Sequence, residues 1–116
     1  MFTCKRIYDP PASGDGHRVL VDRLWPRGVS RDKAALDEWL KEIAPSDELR
    51  HWFGKDEAKW PEFERRYRTE LLTPEHKPEL DRLRKLAKKG RVTLLYAKRD
   101  EDRNNAVALK EVLEGR

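Results

Sequence analysis

The sequence has little of what secreted, membrane or disulfide-stabilised proteins need. It contains a single cysteine, Cys4, which excludes an intramolecular disulfide and fits a reducing compartment. No apolar run approaches the roughly 18 residues that a transmembrane helix requires, and the first residues lack the apolar region of a signal peptide. We therefore expect a cytoplasmic protein with no membrane partner.

The motifs of cofactor and metal sites are also missing. The sequence has neither the GxGxxG pattern of dinucleotide-binding folds nor the GxxxxGK[ST] phosphate loop. Its three histidines, His17, His51 and His76, are scattered, and no cysteine or carboxylate pair accompanies them at metal-ligand spacing. The sequence therefore predicts no cofactor and no metal site, and Cys4 is interpreted as a small buried hydrophobe.

The composition nevertheless indicates a folded domain. Charged residues make up 41% of the chain, a fraction that by itself favours disorder. Four tryptophans, three phenylalanines and three tyrosines favour folding instead, because disordered chains are poor in aromatic residues. The length of 116 residues predicts a single domain, 1–116. A net charge of +4 is modest for a protein that binds nucleic acid.

Apolar runs alternate with amphipathic segments along the chain. Strands are predicted at Phe2–Tyr8, Arg18–Asp22 and Arg91–Ala97, and the last two are apolar enough to be covered on both faces, as in a parallel sheet. Helical spacing predicts about five helices: from Ser30 through Leu36, Trp39, Leu40 and Ile43 to Pro45, at Asp47–Phe53, around Trp60–Leu71, from Thr73 to Gly90, and a last one to about Leu113. This order predicts an α/β fold with a small, mostly parallel sheet flanked by helices in Rossmann-like layers, with room for a fourth short strand in the loops.

The turn after the second predicted strand is dense in residues suited to ligand binding. In α/β sheets, ligands bind in the crevice beyond the carboxyl ends of parallel strands. Arg23 and Arg27 carry guanidinium forks that suit a phosphate or carboxylate. Trp25 offers a flat wall, and Gly28 lets the backbone approach a ligand. Asp22 is a candidate general base if burial raises its pKa.

The turn after the third predicted strand faces the first turn if the two strands are parallel. Lys98 is then a further cation of the crevice, and Asp100 is a second candidate general base on the same condition as Asp22. Asn104 and Asn105, at the beginning of the last helix, are candidates to hydrogen-bond a ligand. On the short helix, Arg50 and His51 are within reach of the same crevice.

Each of these residues also has a purely structural interpretation. In this interpretation Asp22 pairs with an arginine, Trp25 and Pro26 pack over the core, and Asp100 or Asp102 caps the last helix. The two asparagines suit capping equally well, because asparagine is poor inside helices and good at their first turn. The ligand-binding interpretation is preferred for the turn as a whole, because two arginines, a tryptophan, a proline and a glycine exceed what a connection needs.

Two long segments, RVLVDRLWPRGVSRDKAALDEWLKEIAPSDELRHWFG and VTLLYAKRDEDRNNAVALKEVL, resemble the YeaO-like group within the domain of unknown function 488. The similarity covers nearly the whole chain, and VDRLWPRG is its specific marker. The resemblance implies a small cytosolic bacterial or archaeal α/β domain and agrees with the emphasis on Asp22–Gly28, Asn104 and Asn105. It also implies a histidine near position 103, where this chain has Arg103, so a histidine-based mechanism is not expected here.

Three functions follow from these patterns. The first is binding of a small anionic ligand, phosphorylated or nucleotide-like, and the same crevice is compatible with a hydrolase, a transferase or a binding module without chemistry. The second is a nucleic-acid-binding accessory protein that uses a basic run, which is also typical of a solvated helix face: Arg82, Arg84, Lys85, Lys88, Lys89 and Arg91. The third is a protein–protein interaction module, which loses most of its support if Trp39, Trp52 and Trp60 are buried. No oligomeric state is predicted.

Overall fold

A four-stranded, wholly parallel sheet forms the centre of the computed structural model, which describes residues 1–115. Its strands are β1 (Phe2–Arg6), β2 (His17–Leu20), β3 (Glu38–Trp39) and β4 (Val92–Tyr96), in the order β1-β4-β2-β3. All five residues of β4 are buried, as its uninterrupted apolar sequence predicts. The predicted α/β class is confirmed.

Five α-helices surround the sheet in residues 1–115. They are α1 (Arg31–Ala34), α2 (Asp47–Phe53), α3 (Trp60–Leu71), α4 (Lys77–Lys89) and α5 (Asn105–Leu113), with single 3-10 turns at Ser13–Asp15, Lys41–Ile43, Glu57–Lys59 and Pro74–His76. The predictions for 47–53 and 60–71 are confirmed. None of the helices in this part of the chain has both the length and the apolar character to cross a bilayer.

The two faces of the sheet contribute to two hydrophobic clusters. Val19 and Leu94 belong to the larger cluster, to which residues of α2, α3, α4 and α5 also contribute. Leu20 and Leu95, one residue further along each strand, belong to a smaller cluster with Ala34 of α1. This alternation is the period of two that a strand imposes on its side chains.

The predicted helix from Ser30 to Pro45 is wrong beyond its first turn. Ser30 caps α1 as expected, but Ala35 takes a left-handed conformation, with φ of 49°, and ends the helix. The following segment pairs with β2, and β3 is the fourth short strand for which the sequence left room. The helical spacing was misleading because the apolar residues serve both clusters: Leu36 and Trp39 pack on the smaller one, and Leu40 and Ile43 on the larger one.

The strand β2 ends at Leu20 rather than at the predicted Asp22. The carbonyl oxygen of Val21 accepts a hydrogen bond from Nδ2 of Asn105, and that of Asp22 accepts one from Nε1 of Trp39. Side chains therefore replace a neighbouring strand as the donors beyond Leu20. The chain leaves the sheet at this point, which is where the candidate site begins.

Candidate functional site

The ends of β2 and β4 lie side by side, which brings the two polar turns to one edge of the sheet. Leu20 is in register with Leu95, and the Val21 N–H donates to the carbonyl oxygen of Leu95 over 3.0 Å. The turn that starts at Asp22 and the turn that starts at Ala97 therefore leave the sheet at the same edge. The shared edge expected from two parallel strands is present.

A cleft of about 360 Å³ opens between these turns and α2. It is lined by seven of the residues that the sequence singled out: Asp22, Arg23, Trp25, Arg27, Lys98, Asn104 and Asn105. Gly28 and Asp100 lie outside this lining, each in the wall of a separate surface cavity. The roles predicted for all nine residues remain predictions.

Asp22 lies at the floor of the cleft and joins three parts of the fold. Its Oδ2 accepts the backbone N–H of Ala97 over 2.9 Å, and its Oδ1 accepts Nδ2 of Asn105 over 3.0 Å. Burial raises the pKa of Asp22 above its usual value, against these hydrogen bonds and the positive charge of Arg50, which lower it. The pKa of Asp22 is thus shifted upward, as a general base requires, but both of its carboxylate oxygens already accept hydrogen bonds from the fold.

Arg23 stabilises the chain segment opposite the turn. Its Nε donates to the carbonyl oxygen of Pro45 over 3.2 Å, and its Nη2 donates to that of Ala44 over 3.1 Å. These bonds satisfy carbonyls just before α2, so the guanidinium is largely committed to the fold. Arg27 differs, because its guanidinium is exposed and forms no hydrogen bond or ion pair within residues 1–115.

Lys98 brings a half-buried ammonium to the other wall of the cleft. Its Nζ lies 4.1 Å from the centroid of the Phe53 ring, a cation–π distance. Burial lowers the pKa of Lys98, with Asp100 and Arg103 acting in opposite directions at longer range. No carboxylate within residues 1–115 forms an ion pair with this ammonium. A charge that is partly desolvated and unpaired gains from an anionic ligand.

Trp25 closes one side of the cleft and is held in place by several contacts. Its Nε1 donates to the carbonyl oxygen of Val29 over 2.7 Å. Its ring packs edge-on against Trp39, with 5.3 Å between centroids, and Arg31 lies over it at 4.0 Å. The wall is therefore preformed. Gly28, at φ of 74°, has its backbone in the left-handed region, which explains glycine at this turn.

The two asparagines have different tasks at the beginning of α5. Asn104 is the N-cap: its side-chain oxygen accepts the Val107 N–H over 3.0 Å, and its Nδ2 donates to the carbonyl oxygen of Asp100. Asn105 donates both hydrogens of Nδ2, to Val21 and Asp22, and no described group donates to its Oδ1. Capping thus accounts for Asn104, and Asn105 links the end of β2 to α5.

Asp100 sits in a hydrogen-bonded loop beside the cleft. It accepts the backbone N–H groups of Asp102 and Arg103 over 3.0 Å each, and Nε of Arg103 over 3.0 Å. These bonds, with the backbone bond from Asp102 the largest, lower the pKa of Asp100. Asp100 was expected to act as a base only if its pKa were raised. The pKa is lowered instead, so this condition is not met.

Some of the cleft residues had only a weak signal in the sequence. Arg50 lines the cleft, as its place on the short helix allowed, whereas His51 does not. Phe53 and Phe63 serve the core and the cleft at once, so core spacing hid their second role. Tyr8 contributes from the loop after β1 and donates its hydroxyl hydrogen to the carbonyl oxygen of Arg27 over 3.0 Å.

The charge of the lining is strongly one-sided. Four cationic side chains, those of Arg23, Arg27, Arg50 and Lys98, line the cleft together with a single carboxylate, that of Asp22. Within residues 1–115, no three His, Cys, Asp or Glu side chains lie close enough together to hold a metal ion. The chemistry that the arrangement supports is recognition of an anion next to an apolar wall.

The basic run on α4 is partly used inside the molecule. Arg82 pairs with Glu38 and Glu79, and Arg84 donates to the carbonyl oxygens of Val112 and Leu113. The remaining members, Lys85, Lys88, Lys89 and Arg91, are exposed. Two of the six groups are thus committed to the fold, and the nucleic-acid hypothesis remains a prediction.

The three tryptophans named for the interaction-module hypothesis are half-buried. Trp52 and Trp60 pack against the larger hydrophobic cluster and Trp39 against the smaller one. Trp52 is also covered by Arg66, at 4.1 Å from its ring centroid. Most of their surface thus has a partner within the chain, and the hypothesis remains a prediction.

The fold and the cleft define a small α/β protein with a candidate site at the carboxyl ends of parallel strands. A family model described as the inactive DUF488-N3 subclade matches residues 1–116, and the chain belongs to this family, DUF488-N3i.

The YeaO-like resemblance of the sequence motifs is confirmed by the family model together with a relative. The chain is 46% identical over 110 residues to the uncharacterized protein YeaO of Escherichia coli (strain K12), an alignment that covers 95% of this chain and 94% of that protein. It is 40% identical over 111 residues to the uncharacterized protein Rv3073c of Mycobacterium tuberculosis (strain ATCC 25618 / H37Rv), with 96% and 92% covered. No solved structure matches the chain.

Proposed function

We propose that this protein binds a small anionic molecule, phosphorylated or nucleotide-like, in the cleft at the ends of β2 and β4, and that it holds this molecule without chemical change. The observation that carries the proposal is a lining of four cations and one carboxylate in which two cations remain without an ion pair in residues 1–115, since Arg50 and Arg23 lie 3.2 Å and 3.9 Å from Asp47. Arg27 and Lys98 are the central contacts, because neither forms an ion pair within residues 1–115.

The apolar part of the lining supports a ligand with a flat or hydrophobic body. Trp25 and Phe53 present rings to the cleft, and Leu24 stands at its mouth with 60% of its surface exposed. Sites for small organic ligands combine such apolar walls with a few well-placed polar groups. An inorganic ion alone would leave these walls in contact with water.

Two observations favour binding over catalysis. Both carboxylate oxygens of Asp22 accept N–H groups of the fold, so taking a proton from a ligand would disturb the contacts that join β2, β4 and α5. The family model that matches the chain is described as an inactive subclade. The proposal includes a location in the cytosol, supported by the single cysteine, which forms no disulfide.

The test is a thermal-shift screen of small anions with matched variants. We expect phosphorylated metabolites to raise the Tm of the wild-type protein, because a ligand that binds only the folded state stabilises it by RT ln(1 + [L]/Kd), about 2.7 kcal/mol at a hundredfold excess over Kd. The double variant Arg27→Met/Lys98→Met should show no ligand-induced shift. Without ligand, its Tm should match that of the wild-type protein.

The control variant is Lys88→Met/Lys89→Met. It removes the same charge from exposed positions at the end of α4, next to the start of β4 and so at the other edge of the sheet. It should keep the shift. The proposal is wrong if no anion shifts the wild-type protein, or if the control loses the shift as fully as the cleft variant.

A further inference from the structure

A second cavity of about 640 Å³ adjoins the cleft and shares part of its wall. Both are lined by Gly54, Ala97 and Lys98. Two of these shared residues are the smallest that a chain can offer, so the common wall carries only one long side chain. Lys98 therefore faces both spaces from the boundary between them.

The backbone turns sharply at a glycine where the cleft and the second cavity meet. Gly54 ends α2 with φ of 57°, in the left-handed region that a residue with a side chain adopts only under strain. Glycine at this position turns the chain sharply and leaves no side chain between the two spaces. Lys98 therefore contributes the one long side chain of the wall that the cleft and the second cavity share.

The two carboxylates of the second cavity share one cation of the protein. Asp100 and Glu57 both pair with Arg103, at 3.0 Å and 3.4 Å. Asp100 also receives two backbone N–H groups. Arg103, which does not line the cavity, thus offsets one of the two negative charges that would otherwise repel an anion.

The cations of the second cavity have no such partners. Within the part of the chain that the structure describes, Lys55, Lys98 and Arg99 form no ion pair. Lys55 and Arg99 are exposed and unpaired, and Lys98 is half-buried. The cavity therefore presents three available positive charges next to a cleft that presents Arg27.

We propose that the ligand carries two neighbouring anionic groups, the first held in the cleft by Arg27 and Lys98 and the second in the adjoining cavity by Lys98, Lys55 and Arg99. The ligand class is an organic diphosphate, whose apolar or flat body lies against Trp25 and Phe53. This inference rests on the proposed function, because it assigns a second group to the ligand of the same cleft.

The experiment compares adenosine monophosphate with adenosine diphosphate, and inorganic phosphate with pyrophosphate, by isothermal titration calorimetry at one fixed salt concentration. We expect each diphosphate to bind about tenfold more tightly than its monophosphate, since one more charge-assisted hydrogen bond supplies at least that factor. The variant Lys55→Met/Arg99→Met should erase this difference and leave the monophosphate affinities unchanged. Lys88→Met/Lys89→Met is the charge-matched control and should preserve the difference.

The outcomes separate this inference from the proposed function. If mono- and diphosphates bind the wild-type protein equally and both lose affinity in Arg27→Met/Lys98→Met, the cleft binds anions and the second subsite does not exist. A diphosphate preference that survives in Lys55→Met/Arg99→Met also overturns the second subsite. If none of the four compounds binds, the inference and the proposed function fail together.

Discussion

At the start of β2 the charged side chains are paired with one another, whereas beyond its end several have no partner. Asp15 accepts hydrogen bonds from Lys5 and Arg18, and all three groups are shielded from water to a large extent. Beyond the end of the strand, Arg27 and Lys98 form no ion pair within residues 1–115. One strand thus separates a region whose charges hold the fold together from a region whose charges are available to a ligand.

The two aspartates that flank β2, Asp15 and Asp22, have pKa values shifted in opposite directions. Burial alone would raise the pKa of Asp15, but hydrogen bonds from the Ala12 N–H, Lys5 and Arg18 lower it below its usual value. At Asp22, burial is the larger effect, and its pKa is raised despite two hydrogen bonds. Asp15 thus accepts hydrogen bonds from two charged side chains, whereas Asp22 accepts its two hydrogen bonds from neutral groups.

The largest effect is expected from adding a methyl group to the glycine that precedes β2. A Cβ at Gly16 would lie 2.2 Å from the carbonyl oxygen of Arg91, and φ is 66°. We expect Gly16→Ala to cost roughly 4 kcal/mol of unfolding free energy, from overlap and backbone strain together. Chemical denaturation measures it.

Gly28→Ala is the matched variant beyond the other end of β2. Its φ is 74°, but a Cβ there would meet nothing within 4 Å. It should cost only about 1 kcal/mol, the strain of a left-handed alanine. Equal losses in the two variants would contradict the close packing assigned to the start of the strand.

A large effect is also expected from removing the buried arginine of the paired region. Arg18 is 5% exposed and donates to Asp15 and to the carbonyl oxygens of Ala34 and Ala35. Arg18→Met should cost about 3 kcal/mol, because it leaves buried acceptors without donors. Urea denaturation at neutral pH measures it.

Arg27→Met provides the counterpart in the unpaired region. It should change stability by no more than about 0.5 kcal/mol, as for exposed side chains without specific contacts. A loss comparable with that of Arg18→Met would mean that Arg27 supports the fold, and the contrast between the two ends of β2 would disappear.

The two aspartates should titrate on opposite sides of the usual aspartate range. The lowered pKa of Asp15 means that its stabilisation is present above the unfolded pKa of 3.8 and is lost as pH falls through the lower folded value. For Asp22 the effect on stability has the opposite sign, because its pKa in the folded protein lies above 3.8. The ionisation of Asp22 therefore opposes folding as the pH rises from 3.8 through the higher folded pKa. Carboxyl carbon NMR shifts, assigned with Asp15→Asn and Asp22→Asn, measure both midpoints. A pKa of Asp22 equal to or lower than that of Asp15 would refute the difference in environment between the two aspartates.

An effect on stability as small as that of Arg27→Met is expected at Lys98. Its charge is disfavoured by burial and has no ion pair within residues 1–115, so Lys98→Met removes no ion pair, and the apolar methionine offsets the lost cation–π contact with Phe53. The unfolding free energy should stay within about 0.5 kcal/mol of the wild-type value. A thermal melt without ligand is sufficient, and a large loss would place Lys98 among the structural charges.

The sheet edge and most of the charged and polar residues of the cleft lining could be predicted from the sequence, because uninterrupted apolar strands imply parallel neighbours and parallel neighbours share an edge. The strand β3 could not, since residues that serve two faces of a sheet can mimic helical spacing over a short segment. The commitment of Arg23 to the Ala44 and Pro45 carbonyls depends on long-range packing that no local pattern encodes. The same holds for the ion pair between Arg103 and Glu57, whereas Asp100 pairs with Arg103 three residues along the chain.

The most direct test of the central claim, that the edge beyond β2 keeps positive charge available for an anion, is the pKa of the Lys98 ammonium with and without pyrophosphate. NMR of the Lys98 side chain, assigned with Lys98→Met, measures both values. The account predicts a pKa below the ordinary 10.5 in the free protein and a clear rise when pyrophosphate is saturating, because a bound anion stabilises the charged form. The same pKa in both conditions, with no change in the resonances of the cleft residues, would contradict it.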